Sequence, residues 1–314
     1  MSSVKEECVT APGYYWRPTA GAGSSLPAGT SCPENYYCTG SVRAAQAQPP
    51  TLCTNAYVGS EISSLLSPLR SDEMTDCVTA PGYFWRNPGG GAAPAGTTCP
   101  ADHYCTGRVP AAQAQPPTLC TDGYSGSETG SLQSPQKSDE MVDCVTSPGY
   151  FWRDPGGGAL PVGTTCPARS FCTGRVPAAQ AAPPTLCTDA YGGSEVDSLD
   201  SPARSDEMAD CVTFPGFFWK LPTVAGALPA GISCPTDNYC TGRVPAAQAE
   251  EPILCTAAYA GSELLSLQSP AQSDEKTDCV TTPGYFWRDP GNGASLAGTT
   301  CPADHFCTGR VPAS

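Results

Sequence analysis

Charge is scarce in this sequence, and positive charge scarcest. Against 30 Asp and Glu there are 16 Lys and Arg and two His, giving a net charge of −14 with only 15% charged residues. Soluble chains usually carry about 25%. Nucleic-acid binding needs clustered Lys and Arg, and the few cations here are scattered, so no nucleic-acid partner is expected. No stretch approaches the roughly 18 apolar residues of a membrane span, so none is expected. No Asn-x-Ser/Thr sequon occurs, and Asn238-Tyr-Cys is only its rare variant. Signatures of catalysis are missing as well. The chain has no Gly-x-Ser-x-Gly elbow, no phosphate-cradling loop and no histidine beside a nucleophile motif. Its glycine runs lack the strand-to-helix setting of a nucleotide site. The expectation is a protein that is not an enzyme and holds no cofactor.

What is abundant is Gly (33), Pro (34) and Cys (19). Such a composition favours loops over long helices or large sheets. The cysteines follow a repeat. Cys-Val-Thr-x-Pro-Gly followed by two aromatics, Trp and Arg or Lys recurs at Cys8, Cys77, Cys144, Cys211 and Cys279, at periods of 69, 67, 67 and 68 residues. The repeats are read as 1–76, 77–143, 144–210, 211–278 and a partial fifth at 279–314. Four carry four cysteines and the last carries three, so none lies outside the pattern. Second to third is always C-x5-C, third to fourth C-x14-C, and fourth to the next first C-x23-C. All length variation falls between first and second, around glycine-rich runs such as Asn87-Pro-Gly-Gly-Gly, which read as insertion-tolerant surface loops.

Zinc sites want closely spaced cysteine pairs. C-x5-C is too wide, and His103 and His305 share a slot filled elsewhere by Tyr36, Ser170 and Asn238, so no metal is expected. Disulfides fit better, and this number of cysteines implies an oxidising compartment. Three pairings per repeat are open. We take fourth to next first (Cys53–Cys77, Cys120–Cys144, Cys187–Cys211, Cys255–Cys279) with second to third (Cys32–Cys38, Cys99–Cys105, Cys166–Cys172, Cys234–Cys240, Cys301–Cys307). First to second with third to fourth is the alternative. The first scheme leaves Cys8 as an orphan thiol, available to another chain or marking an excerpt from a longer array. Bridges of this kind replace a core that each short piece cannot build alone.

Each Trp lies in an aromatic cassette: Tyr14-Tyr15-Trp16-Arg17, Tyr83-Phe84-Trp85-Arg86, Tyr150-Phe151-Trp152-Arg153, Phe217-Phe218-Trp219-Lys220 and Tyr285-Phe286-Trp287-Arg288. Alternate side chains of a strand face opposite ways, so each cassette serves two surfaces. One reading has these faces close the repeat and cover loops. The other makes Trp16, Trp85, Trp152, Trp219 and Trp287, with Arg86, Arg153 and Arg288, an assembly interface, where Trp, Tyr and Arg are enriched. The cassette Arg is further expected to stack on a ring.

Short strands are expected at the cassettes and near Tyr124 and Tyr191. A helical turn at Ser71-Asp-Glu-Met74 would be capped by the serine. Ser-Asp-Glu-x-x-Asp at 71–76, 138–143, 205–210 and 273–278 reads as solvated turn and cap chemistry rather than calcium binding, which needs six or more oxygens. Proline-rich segments such as Val109-Pro-Ala-Ala-Gln-Ala-Gln-Pro-Pro-Thr118 read as extended and as acceptors of O-linked glycans.

Cys99-Pro-Ala-Asp-His-Tyr-Cys105-Thr-Gly, then Pro116-Pro-Thr-Leu-Cys120-Thr-Asp-Gly-Tyr-Ser-Gly, then Ser138-Asp-Glu-Met-Val-Asp-Cys144, resembles ephrin-receptor-type cysteine-rich repeats, relatives of the tumour-necrosis-factor-receptor-like modules. The resemblance covers about two thirds of each repeat. It departs where about twenty residues, cassette included, separate cysteines that are nearly adjacent in the family. It implies a ladder-like ectodomain for spacing, adhesion or assembly.

The expected fold is thus a small disulfide-rich repeat, an elongated array of short β-strands and loops with little helix and no single large core. The expected role is structural: a protomer of an extracellular or cell-surface filament whose partner is itself, with an adhesion or receptor stalk binding a protein or glycan as the alternative. Near-uniform repeats, and ends out of phase with the repeat and without capping units, favour the polymer. Met1–Glu7 lacks the apolar core of a secretory signal, which places the true start upstream or implies processing.

Overall fold

The computed structural model describes residues 8–17, 28–87, 89, 91–291 and 295–313. The expectations for Met1–Glu7, for the glycine loop at 18–27 and for parts of its counterparts (88, 90, 292–294) lie outside these residues. The chain divides into two compact bodies. One comprises Met1–Thr146, Trp152–Gly163 and Arg175–Ala181; the other comprises Ser147–Phe151, Thr164–Gly174 and Ala182–Ser314. Each is built from short antiparallel strand pairs and single turns of helix, with small repeated cores in place of a large one.

The second repeat shows the construction. Its cassette strand Tyr83–Arg86 pairs with Ala95–Thr98, setting Trp85 opposite Gly96. That glycine is obligatory: a Cβ there would lie 2.4 Å from Ser64 Oγ and 2.8 Å from a Leu65 methyl. His103–Tyr104 pairs with Thr118–Leu119, and Leu132–Gln133 with Val145–Thr146. Strands of two residues cannot stand alone. Disulfides hold their ends. The pairing is fourth to next first and second to third, nine bridges in all, with Cys8 exposed and free.

Each core straddles a sequence-repeat boundary. Cys53, Tyr57 and Leu65 close on Cys77 and Trp85 of the following repeat, and Cys120, Tyr124 and Leu132 close on Cys144 and Trp152 in the same way. The staple from fourth to next first cysteine therefore runs through the middle of a core.

Three local expectations need correction. The segments before Tyr124 and Tyr191 are single helical turns, Cys120–Gly123 and Cys187–Ala190, rather than strands. Each tyrosine N–H donates to the carbonyl of the cysteine four residues earlier, at 3.0 Å, and the bridged cysteine anchors the turn. The turn at Met74–Asp76 is 3₁₀ and is not capped by Ser71, whose hydroxyl donates to Pro68 O. Asp76 caps instead, its carboxylate accepting from the N–H groups of Asp72 and Glu73 at 3.0 and 3.1 Å. The proline-rich segment is broken by a 3₁₀ turn at Ala111–Gln113, after an extended Pro110.

Ser64, Ser131, Ser198 and Ser266 are fully buried, and their hydroxyls have no hydrogen-bond partner. A buried polar group left unpaired costs about 1–3 kcal/mol. Ser64→Ala and Ser198→Ala are therefore expected to be neutral or to raise the melting temperature. A clear drop in calorimetry would show that the hydroxyl is satisfied in solution.

Candidate interaction surface

The cassette strand sends its first and third residues inward and the second and fourth outward, with the burial pattern buried, half-buried, buried, exposed in repeats two to four. Trp85, Trp152 and Trp219 are only 2–4% exposed, while Trp16 and Trp287 are half-buried. Every indole N–H donates to a valine carbonyl: Trp16 to Val42, Trp85 to Val109, Trp152 to Val176, Trp219 to Val244 and Trp287 to Val311, at 2.6–2.7 Å. Four tryptophans also tilt against Tyr57, Tyr124, Tyr191 and Tyr259 at 4.7–4.8 Å between ring centroids. Burial pushes the pKa of all four phenols up.

Within the chain the buried indoles act as core. Trp85, Trp152 and Trp219, bonded on their polar edge and tilted against a tyrosine, are turned away from solvent, while Trp16 and Trp287 keep partial exposure for contact with another chain. The outward positions are Tyr15, Phe84, Phe151, Phe218 and Phe286, half-buried, beside exposed Arg17, Arg86, Arg153, Lys220 and Arg288. The stacking expectation is corrected too. The cations over the leading tyrosines are Arg70 on Tyr14, Lys137 on Tyr83 and Arg204 on Tyr150, at 4.9–5.3 Å, rather than the cassette arginines. In the fourth repeat Phe217 stands where those tyrosines stand, and Gln272 takes the place of the cation.

A second outward feature was missed from the sequence. After each Gly-Ser-Glu comes Ile62, Thr129, Val196 or Leu264, and the three apolar members are 80–91% exposed. Their turn is held firmly. The Ser60 hydroxyl accepts from Gly96 N–H at 2.9 Å, Glu61 N–H donates to Gly96 O at 2.9 Å, and the Glu61 carboxylate accepts from both the hydroxyl and the N–H of Thr98. The fourth repeat repeats this with Ser262, Glu263 and Thr300. The signal was the fixed Gly-Ser-Glu followed, in three of its four copies, by an apolar residue in a loop.

Hydrogen bonds from Thr98 and from Thr300 hold the Glu61 and Glu263 carboxyls below the ordinary carboxylate value. A depressed pKa gives stability that is present above the unfolded value, about 4.3, and lost as pH falls through the folded one. Thermal melts should be flat from neutral pH to about 5 and fall below about 4, with less acid dependence in Glu61→Gln. An identical acid limb in that variant would contradict the bond.

A shallow, open cleft recurs beside the cassettes of repeats one, two and four. In the second repeat its lining includes Tyr83, Phe84, Trp85 and Tyr104 together with Gln115, Pro116 and Thr118. His103 and His305 bond their own backbone, through Nδ1 to Ala101 O and Ala303 O. Among the described residues no group of three His, Cys, Asp or Glu is placed to hold a metal, and no helix is long and apolar enough to cross a membrane. No protein-family model matches the chain, and no curated protein or solved structure matches it.

Proposed function

We propose that this disulfide-stapled repeat protein is a structural protomer of an extracellular or cell-surface filament. It performs no catalysis and associates with copies of itself through the outward residues of its repeats. The observation that carries this reading is the recurrence of an exposed apolar residue, Ile62, Val196 and Leu264, on a turn locked by hydrogen bonds at one fixed position of the repeat. Rigid exposed apolar groups favour association because little conformational entropy is lost on contact. The half-buried cassette phenylalanines and their neighbouring cations supply further contact area. The many disulfides fit an oxidising, extracellular setting.

The test is the triple variant Ile62→Ser, Val196→Ser, Leu264→Ser, compared with the native chain by sedimentation velocity over a concentration series. The native chain should form large species as concentration rises, and the variant should stay monomeric with its nine disulfides intact. Equal assembly by both would overturn the contact assignment.

Thr51, Thr118 and Thr185 are exposed in Pro-Pro-Thr settings and are proposed as O-glycan acceptors. A native mass equal to that of the bare oxidised chain contradicts this. The resemblance to ephrin-receptor-type repeats supports the second reading, an adhesion or receptor stalk.

A further inference from the structure

The cleft beside the fourth cassette departs from its counterparts where it matters for recognition. It is lined by Phe217, Phe218, Trp219 and Tyr239, as the clefts of repeats one and two are lined by their counterparts. Its rim differs. Where repeats one and two carry Gln48-Pro49 and Gln115-Pro116, and repeat three carries Ala182-Pro183, the fourth carries Glu250-Glu251. Both glutamates line the cleft and are exposed, and no Lys or Arg lines it. Neither forms an ion pair among the described residues. The cation that covers the leading ring in repeats one to three is also missing, because Gln272 replaces it.

The half-buried rings of Phe218 and Tyr239, with two exposed carboxylates in no ion pair, form the environment that attracts an organic cation. The ring faces are negative and favour an ammonium or guanidinium within about 6 Å, and the carboxylates add direct charge attraction. We propose that the fourth-repeat cleft is a binding site for a lysine or arginine side chain presented by a basic segment of a partner polypeptide. The site gives one repeat a specificity that its neighbours lack. It does not depend on the filament reading: a stalk or a protomer could carry it equally.

Each repeat has one tryptophan, so the clefts are read separately. The full oxidised chain is labelled with 5-fluorotryptophan, and its five ¹⁹F resonances are assigned from single Trp→Phe variants. It is then titrated with the N-acetyl methylamides of lysine, arginine and the neutral norleucine, and with tetramethylammonium. The lysine or arginine derivative should shift the Trp219 resonance saturably in the millimolar range and leave the other four unmoved. Salt should weaken the effect. The variant E250Q/E251P, which installs the residues that repeats one and two already carry at this slot, should retain the fold and bind at least about tenfold more weakly. Three results would each overturn the proposal: an equal response to norleucine, unchanged affinity in the variant, or no Trp219 shift with either basic derivative. A response to tetramethylammonium alone would overturn the side-chain occupant and assign the cleft to free quaternary amines.

Discussion

Trp152→Ala is expected to cost roughly 3–5 kcal/mol, the range for removing a large aromatic from a core. The indole is 4% exposed, packs with Tyr124 at 4.7 Å, touches the cluster of Leu132 and the Cys120–Cys144 bridge, and donates to Val176 O at 2.7 Å. Its removal leaves a cavity and an unpaired carbonyl lone pair in a core of very few side chains. Repeats of this kind need not unfold in one step, so hydrogen exchange is the better readout. Protection should fall across Cys120–Trp152 and persist in distant repeats. Arg153→Ala, one residue on and exposed, should change stability by no more than about 0.5 kcal/mol. Were Trp152 an assembly contact without a core role, the order would reverse: normal protection in the tryptophan variant, and loss only of association.

The second large effect concerns the staple through the same core. Cys120 and Cys144 are 24 residues apart and fully buried, whereas Cys99 and Cys105 are six apart. In the chain-entropy account the long bridge contributes about 3.5 kcal/mol and the short one about 2.4 kcal/mol. Replacing Cys120 and Cys144 together by alanine also removes two sulfurs that Tyr124 and Trp152 pack against, so the loss should exceed the entropic figure. The double variant Cys99→Ala/Cys105→Ala should be milder, with the strand pair at His103–Tyr104 fraying locally. Guanidinium unfolding of both variants reads the ranking. Equal midpoints would mean that the long bridge is incidental to the core.

Much of this was legible in the sequence because it is periodic. The cysteine intervals are invariant where the chain is geometrically fixed, and the loop that varies in length is the glycine-rich one. The cassette strand and its two-faced character followed from alternation. The burial of Trp85 did not, because which face turns inward depends on Tyr57 and Leu65 of the preceding repeat, about 20 to 30 residues upstream. The same non-local dependence hid the source of the ring-stacking cations. Lys137 reaches Tyr83 from 54 residues later, a contact that no local pattern announces. The helical turns at Cys120 and Cys187 were misread as strand because four residues carry too little periodicity to separate the two. Ile62, Val196 and Leu264 were overlooked since a single apolar residue in a loop is ordinary. Only its recurrence at a fixed and hydrogen-bonded position gives it meaning.

Electron microscopy of the native material at neutral pH, with and without reductant, tests the account most directly. A filament protomer should give regular fibres with an axial repeat matching one or several sequence repeats, loosened or lost when the bridges are reduced. Separate particles at every concentration would contradict the assembly reading and leave the stalk.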